Sequence, residues 1–138
     1  MDRCGMNRRI LFARAQDALA PFWFNELDQS LTPSGFQVCR VHDGTETIRR
    51  VERGGLAAAV LWEDEQIIDA LSLLRIIRSI TLTLPCWVVT DDASRHTMQT
   101  ALGLRAAGVL SRPVGASDLG LALRKRLMDQ AESNGNWS

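Results

Sequence analysis

Three consecutive acids, Glu63, Asp64 and Glu65, follow an apolar run of residues that ends in Trp62. An apolar run of this length, bounded by polar residues, predicts a buried β-strand. Carboxylates at the end of such a strand can act as nucleophiles or hold a hard cation such as Mg²⁺. Either chemistry would have to take place next to the bulky indole of Trp62, which is the last residue of the run.

The residues at the ends of the remaining apolar runs are Arg14, Ala15, Thr90, Asp91 and Arg112, all of them polar except Ala15. If these ends meet in the fold, a cation site is conceivable from four acids, Glu63, Asp64, Asp91 and Asp92. Two arginines in the same place would oppose a cation electrostatically. We therefore expect no metal site, and the chain shows no dinucleotide- or phosphate-binding glycine motif that would indicate a cofactor.

Composition narrows the classes of function. The chain has 138 residues, which predicts one domain at residues 1–130 and a flexible tail or linker at 131–138. Its 16 basic and 16 acidic residues cancel, so the domain alone is not expected to bind nucleic acid. Three scattered cysteines indicate neither a zinc site nor a disulfide framework. No run is long and apolar enough to span a membrane, so we expect a cytoplasmic protein.

Strand-like and helical patterns alternate along the chain. The predicted strands are 10–13, 36–40, 58–62, 86–90 and 109–111. The predicted helices are 17–31 (with the regular part starting at Pro21), a segment from Thr45 to Gly54, 67–80, 95–106 and a segment after Ser117. Strict alternation of this kind predicts a parallel sheet with helices on both faces. Five units fit the flavodoxin-like strand order 2-1-3-4-5, in which ligands bind beyond the carboxyl ends of the strands.

Four segments in this order resemble the CheY-like receiver domain of two-component response regulators. They are RRILFA in the first strand, GFQVCRVHDGTETIRRVERGG in the second strand and helix, CWVVTDD in the fourth strand and GVLSRPV in the fifth. Together they extend the resemblance over roughly residues 8–129. The resemblance implies the same fold and a role in signal transduction.

Receivers of this family are phosphorylated on an aspartate at the end of the third strand. An acid pair after the first strand helps that aspartate to hold Mg²⁺, while a Thr or Ser and a Lys bind the phosphoryl oxygens. Matched position by position, the phosphoacceptor falls on Trp62 and the acid pair on Arg14 and Ala15. Thr90 keeps the hydroxyl, and the Lys becomes Arg112. The resemblance therefore implies a receiver whose phosphoacceptor pocket is degenerate.

We interpret the indole as filling the space where phosphate and metal would lie. Arg112 is expected either to stack on the ring of Trp62, as guanidinium groups do on aromatic faces, or to point into solvent. Glu63 has three readings: a mimic of phospho-aspartate, the acceptor itself after a one-residue shift, or part of a solvated acidic loop that caps the third helix. We favour the solvated loop.

The sequence thus favours a phosphorylation-independent signalling module that is not an enzyme and that binds a protein partner or an output domain. A homodimer is expected to use the fourth helix, fifth strand and fifth helix, where Met98, Leu102, Leu104 and Leu121 supply surplus apolar residues. The alternative is a divergent phosphoacceptor that uses Glu63 or Asp64. A small flavodoxin-like enzyme or ligand binder is a weaker third reading.

Overall fold

The computed structural model describes residues 8–14, 21–63, 68–91 and 94–135. Its strands are β1 (Arg9–Ala13), β2 (Gln37–Val41), β3 (Leu56–Trp62), β4 (Cys86–Thr90) and β5 (Gly108–Ser111). They form one parallel sheet in the order β2-β1-β3-β4-β5. The predicted flavodoxin-like sheet is confirmed, with each strand boundary within two residues of its predicted position.

The helices are α1 (Pro21–Leu31), α2 (Gly44–Arg53), α3 (Ala70–Ile80), α4 (Arg95–Gly103) and α5 (Ala116–Gly135), with a short 3₁₀ helix, Thr32–Ser34, after α1. As described, α1 begins at the predicted Pro21, and residues 17–20 of the predicted helix lie outside the described part of the chain. Within that part, no helix combines the length and the apolar character needed to cross a membrane.

Two helices are capped at their amino ends by aspartates that were not predicted as N-caps. The carboxylate of Asp43 accepts a hydrogen bond from the backbone N–H of Glu46 at 2.8 Å and caps α2, so the predicted cap at Thr45 is wrong. Asp69 caps α3 in the same way, through the N–H of Ser72 at 3.2 Å. The N-cap of α3 is therefore Asp69 and not a residue of the predicted acidic loop, in which Asp64 and Glu65 lie outside the described residues. An aspartate is among the best N-caps because its oxygen reaches the third free N–H of the helix.

The last helix begins earlier than predicted. It starts at Ala116, so Ser117 lies in its first turn, and the Ser117 hydroxyl donates a hydrogen bond of 2.7 Å to Glu26 of α1. At the other end α5 continues to Gly135, beyond the predicted domain boundary at residue 130. Helix α4 ends at Gly103, three residues before its predicted end at 106.

The two faces of the sheet bury separate apolar layers, because successive side chains of a strand point to opposite faces. The layer against α1 and α5 contains Ile10, Phe12, Leu27, Leu31, Val60, Trp62, Val89, Leu119 and Leu123. The layer against α2 and α3 contains Leu11, Ala13, Val41, Ala59, Leu61, Leu73, Leu74, Ile77 and Val88. Trp62 thus belongs to the layer of α1 and α5.

Only part of the apolar surface of α3 is buried. Leu73, Leu74 and Ile77 are buried, whereas Ile76 and Ile80 are exposed.

The guanidinium of Arg78 holds the loops at the amino edge of the sheet together. Its three nitrogens donate hydrogen bonds of 2.8 to 3.2 Å to four backbone carbonyls, those of Leu104, Thr81, Leu84 and Arg105. Arg105 has a positive φ of 62°. This conformation is uncommon for a residue with a side chain. Arg78 therefore secures both the turn after α3 and the strained turn after α4.

Cys86 lies beneath this cluster at the start of β4. It is fully buried, and burial raises the pKa of its thiol from 9.0 to about 11, although nearby Arg78 acts in the opposite direction. The folded protein therefore keeps the Cys86 thiol neutral over a pH range in which the unfolded chain would ionise it.

Replacing Arg78 with Met should lower the free energy of unfolding by about 2–4 kcal/mol, because buried and half-buried carbonyls lose charged donors while the side-chain volume is kept. Arg75→Met, on an exposed position of the same helix, is the matched control and should change stability by less than about 0.5 kcal/mol. Urea unfolding of both variants gives the answer. Equal stabilities would show that the four hydrogen bonds contribute nothing net.

Alkaline pH should destabilise the protein through Cys86. Above pH 9.0 the unfolded chain releases the thiol proton, while the folded protein retains it until about pH 11, so stability falls as the pH rises through this window. The expected loss is up to about 3 kcal/mol. The chain has no tyrosine and a single lysine, which leaves few other groups titrating in the same range. Urea unfolding in the presence of a reductant measures this loss.

Cys86→Ala should abolish most of this pH dependence, whereas Cys39→Ala, at a half-buried free thiol, should keep it. An unchanged slope in Cys86→Ala would show that another group is responsible.

Candidate functional site

The indole of Trp62 is a packed core residue at the carboxyl end of β3. It is 3% exposed. Its ring centroid lies 5.8 Å from that of Phe12 on the neighbouring strand and 5.5 Å from that of Trp23 on α1, the latter at an interplanar angle of 87°. Edge-to-face pairs of this kind are favourable because the positive edge of one ring meets the negative face of another. The indole of Trp62 is thus part of the aromatic core.

Arg14, not Arg112, lies over the indole. The guanidinium carbon of Arg14 is 4.5 Å from the ring centroid of Trp62. The register explains the choice, since Ala13 of β1 lies beside Leu61 of β3 and the next residues are Arg14 and Trp62. A guanidinium over an indole contributes on the order of 0.5–2 kcal/mol.

Arg112 instead connects the ends of three strands, so neither of its predicted positions is correct. Its Nε and Nη2 bind the two carboxylate oxygens of Asp91 at 2.8 and 2.7 Å, and its Nη1 donates to the backbone carbonyl of Glu63 at 2.9 Å. The Arg112 side chain is 23% exposed, whereas that of Asp91 is 71% exposed. A two-pronged pair fixes the geometry of a guanidinium well, but this degree of exposure limits its energy to roughly 1 kcal/mol or less.

This pair is not among the predictions from the sequence, in which Asp91 is only a candidate metal ligand. Strand β5 lies next to β4, with Ser111 beside Thr90, so the following residues Arg112 and Asp91 are neighbours. Strand β3 is two strands away from β5. The predicted strand order therefore favours Asp91 over Trp62 as the partner of Arg112.

Thr90 and Glu63 complete the described part of the predicted site. Thr90 is buried at the end of β4. Glu63 is half-buried, and its backbone N–H donates to the carbonyl of Val89 at 2.8 Å, which extends the pairing of β3 with β4 by one residue. The contact of Arg112 is with the main chain of Glu63 and not with its carboxylate. Ala15 and Asp64 lie outside the described residues.

The carboxyl edge of the sheet carries no metal-binding cluster in the part of the chain that the structure describes. No group of three or more His, Cys, Asp or Glu side chains there could hold an ion. Of the four acids considered for a cation site, Asp64 and Asp92 lie outside the described residues. The two described guanidinium groups, of Arg14 and Arg112, bring positive charge to this edge.

An open cleft of about 670 Å³ lies beside the indole. It is lined by Arg14, Trp23, Trp62, Asp91, Arg112, Pro113, Val114 and Gly115. The indole N–H of Trp23 donates to the carbonyl of Val114 at 3.2 Å and so fastens α1 to the segment after β5. The sequence does not indicate this role of Trp23, because its place in the wall of the cleft follows from the packing of α1.

Comparison with known proteins identifies the fold. Neither a protein family nor a curated protein matches the sequence. Among solved structures, a CheY-like response regulator receiver domain protein from Methanospirillum hungatei is similar with a TM-score of 0.75 and 19% identity, covering 91% of this chain and 98% of that one.

Two further structures agree with this comparison. The signal receiver domain of an HD domain-containing protein from Pseudomonas fluorescens has a TM-score of 0.72 and 20% identity, covering 94% of this chain and 93% of that chain. A response regulator receiver domain protein from Clostridium thermocellum has a TM-score of 0.71 and 19% identity, covering 89% and 96%. Together with the strand order, these likenesses show that the chain has the CheY-like fold of response regulator receiver domains.

Proposed function

We propose that the chain is a receiver-like signalling module of a bacterial two-component-type system that acts without phosphorylation. The observation that carries the proposal is the buried Trp62 at the end of β3, where the resemblance to receivers would require an aspartate. Indole offers no oxygen nucleophile for phosphorus and no hard ligand for Mg²⁺.

The surroundings of Trp62 support the same conclusion. Arg14 stacks on the indole, at the position where a receiver would have a metal-binding acid. Arg112, at the position of the receiver lysine, is engaged with Asp91 and with the backbone of Glu63. A Mg²⁺ ion needs near-octahedral oxygen ligands. A guanidinium group close to those ligands repels the ion and makes its binding unfavourable.

The proposed module is not an enzyme, and it acts in the cytoplasm by binding a protein partner or an output domain. The face formed by α4, β5 and α5 is the proposed contact surface. Met98, Leu102 and Leu121 on this face are 41%, 58% and 57% exposed. Leu104, which the sequence placed with them, is half-buried and packs against the core, so it does not belong to the surface.

Phosphorylation should not be restored by Trp62→Asp alone. The substitution supplies a carboxylate but removes a buried indole, at a cost of roughly 3–5 kcal/mol, and leaves Arg14 on the metal side. Arg14→Asp/Ala15→Asp/Trp62→Asp should incorporate more phosphate from acetyl phosphate with Mg²⁺ than the single variant. The measurement is labelling with radioactive phosphodonor, after circular dichroism has confirmed that each variant folds.

The double variant Arg14→Asp/Ala15→Asp is the matched control, since it gains the metal ligands without the acceptor and should stay unlabelled. Rapid labelling of the wild-type protein would overturn the proposal and favour the alternative acceptor, Glu63 or Asp64. Rapid labelling of Trp62→Asp alone would show that the metal ligands have been placed wrongly.

Self-association through the proposed surface should appear in sedimentation at tens of micromolar protein. Leu102→Glu replaces the most exposed of the three apolar residues with a charge and should shift the protein to monomer. Leu82→Glu is the control, because Leu82 is equally exposed, at 59%, but lies in the loop after α3. A strictly monomeric wild type, or equal effects of the two variants, would contradict a homodimer through this surface.

A further inference from the structure

We propose that a second copy of this chain packs on the outer face of α5 and α1, with the two α5 helices antiparallel across a two-fold axis at Leu121. The inference goes beyond the proposed signalling role, because it gives the module a second contact surface. Leu121 borders both surfaces, but α4 takes no part in this one. The dimer requires neither phosphorylation nor a contact through α4, so it can be tested separately from both.

An exposed stripe of side chains runs along the outer side of α5. The buried side of the helix is marked by three leucines, Leu119, Leu123 and Leu127. Four exposed residues form the stripe, namely Asp118, Leu121, Lys125 and Met128. They follow the spacing i, i+3, i+7 and i+10, which aligns side chains along one side of a helix and is the spacing of a coiled-coil seam. A surface of this shape fits another helix.

The charges of the stripe change sign along α5. Asp118 lies one turn before Leu121, and Lys125 lies one turn after it. Within the described residues, neither of these charges forms an ion pair. A two-fold axis at Leu121 that reverses the helix direction places Asp118 of each copy opposite Lys125 of the other. A parallel pair of helices would instead bring like charges together, so the charge pattern favours the antiparallel dimer.

Helix α1 continues this pattern beside α5. Glu26 accepts the hydrogen bond of Ser117 at 2.7 Å, and a Cβ at Gly120 would collide with Ser30. These two contacts show that the helices run side by side in the same direction. Glu26 therefore adds a second negative charge close to the level of Asp118, at the end of the face that meets Lys125 of the other copy.

Two further exposed apolar side chains lie at matching positions on this face. Phe22 is 70% exposed and lies one turn before Glu26 on the same side of α1. Met128 is 50% exposed. With a rise of about 1.5 Å per residue, Phe22 and Met128 lie roughly 10–12 Å from Leu121 in opposite directions. The axis thus brings Phe22 of one copy towards Met128 of the other, and exposed apolar residues with a charged rim are typical of protein contacts.

Sedimentation of Leu102→Glu tests this surface alone, because that variant blocks α4 and is expected to be monomeric at tens of micromolar. We expect dimers at roughly 0.5 mM protein, since a face of two helices gives a small and weak interface. Adding Leu121→Glu should give monomers, whereas adding Ile76→Glu, at a position of α3 that is 46% exposed, should keep the dimer. Monomeric Leu102→Glu at this concentration would overturn the inference and leave the proposed signalling role intact.

Exchanging the charges tests the antiparallel arrangement. In the Leu102→Glu background, Asp118→Lys and Lys125→Asp should each weaken dimerisation by about fivefold or more, because each places like charges opposite each other. An equimolar mixture of the two variants should restore the dimer, since every lysine then faces an aspartate. Circular dichroism checks that both variants fold. A mixture that associates no better than the single variants would refute the pairing.

Cross-linking tests the same contact without changing the stripe. A carbodiimide joins a carboxylate directly to an amine, and Lys125 is the only lysine of the chain. In a mixture of ¹⁴N- and ¹⁵N-labelled Leu102→Glu protein, peptides that join Lys125 to Asp118 or Glu26 should include species carrying both labels. Lys125→Arg keeps the charge but lacks the amine, so it should still dimerise in sedimentation and lose these products. Products that join Lys125 only within one copy, or only to carboxylates of other faces, would refute the surface.

Discussion

The burial of one indole governs the carboxyl edge of this sheet. Trp62 is the last residue of the central strand β3. Its ring extends the apolar layer against α1 and α5 to the carboxyl end of the sheet. Phe12 and Trp23 pack against it, and Arg14 covers it. The large apolar surface of an indole makes this arrangement favourable, and the neighbouring side chains have to adapt to its volume.

The charged residues at this edge follow from that packing. The flat guanidinium of Arg14 packs over the ring of Trp62. Arg112 is separated from the ring by β4 and binds the Asp91 carboxylate, while a third nitrogen reaches the carbonyl of Glu63. One side chain therefore ties together the segments that leave β3, β4 and β5. The same residue types that could bind a phosphoryl group serve here to organise the surface of a cleft.

The similarity to receiver domains is a similarity of fold at low sequence identity. Identities of 19–20% over about nine-tenths of the chain accompany TM-scores of 0.71–0.75. Alternating apolar strands between two layers of helices specify this fold, and many combinations of aliphatic residues satisfy that requirement. Residues just beyond the strands contribute less to the core, so their chemistry can change while the fold is kept. The fold alone therefore does not establish how this chain signals.

Much of the architecture could be predicted from the sequence. The five apolar runs and the helical stretches between them were enough to predict a parallel sheet with the correct strand order, and all five strands lie within two residues of their predicted positions. The helix starts were less predictable. Several polar residues near each start compete for the same backbone N–H groups, and the chain geometry selects Asp43 and Asp69.

The candidate site was also predictable only in part. The sequence alone determined which residues follow each strand, and so placed an indole, a threonine and two arginines at one edge of the sheet. Only the tertiary structure decided that Arg14 covers Trp62 and that Arg112 binds Asp91. A long guanidinium side chain can reach several partners from one backbone position. Its choice depends on strand register and on the volume already filled by neighbouring rings, and these are set only when the strands pack side by side.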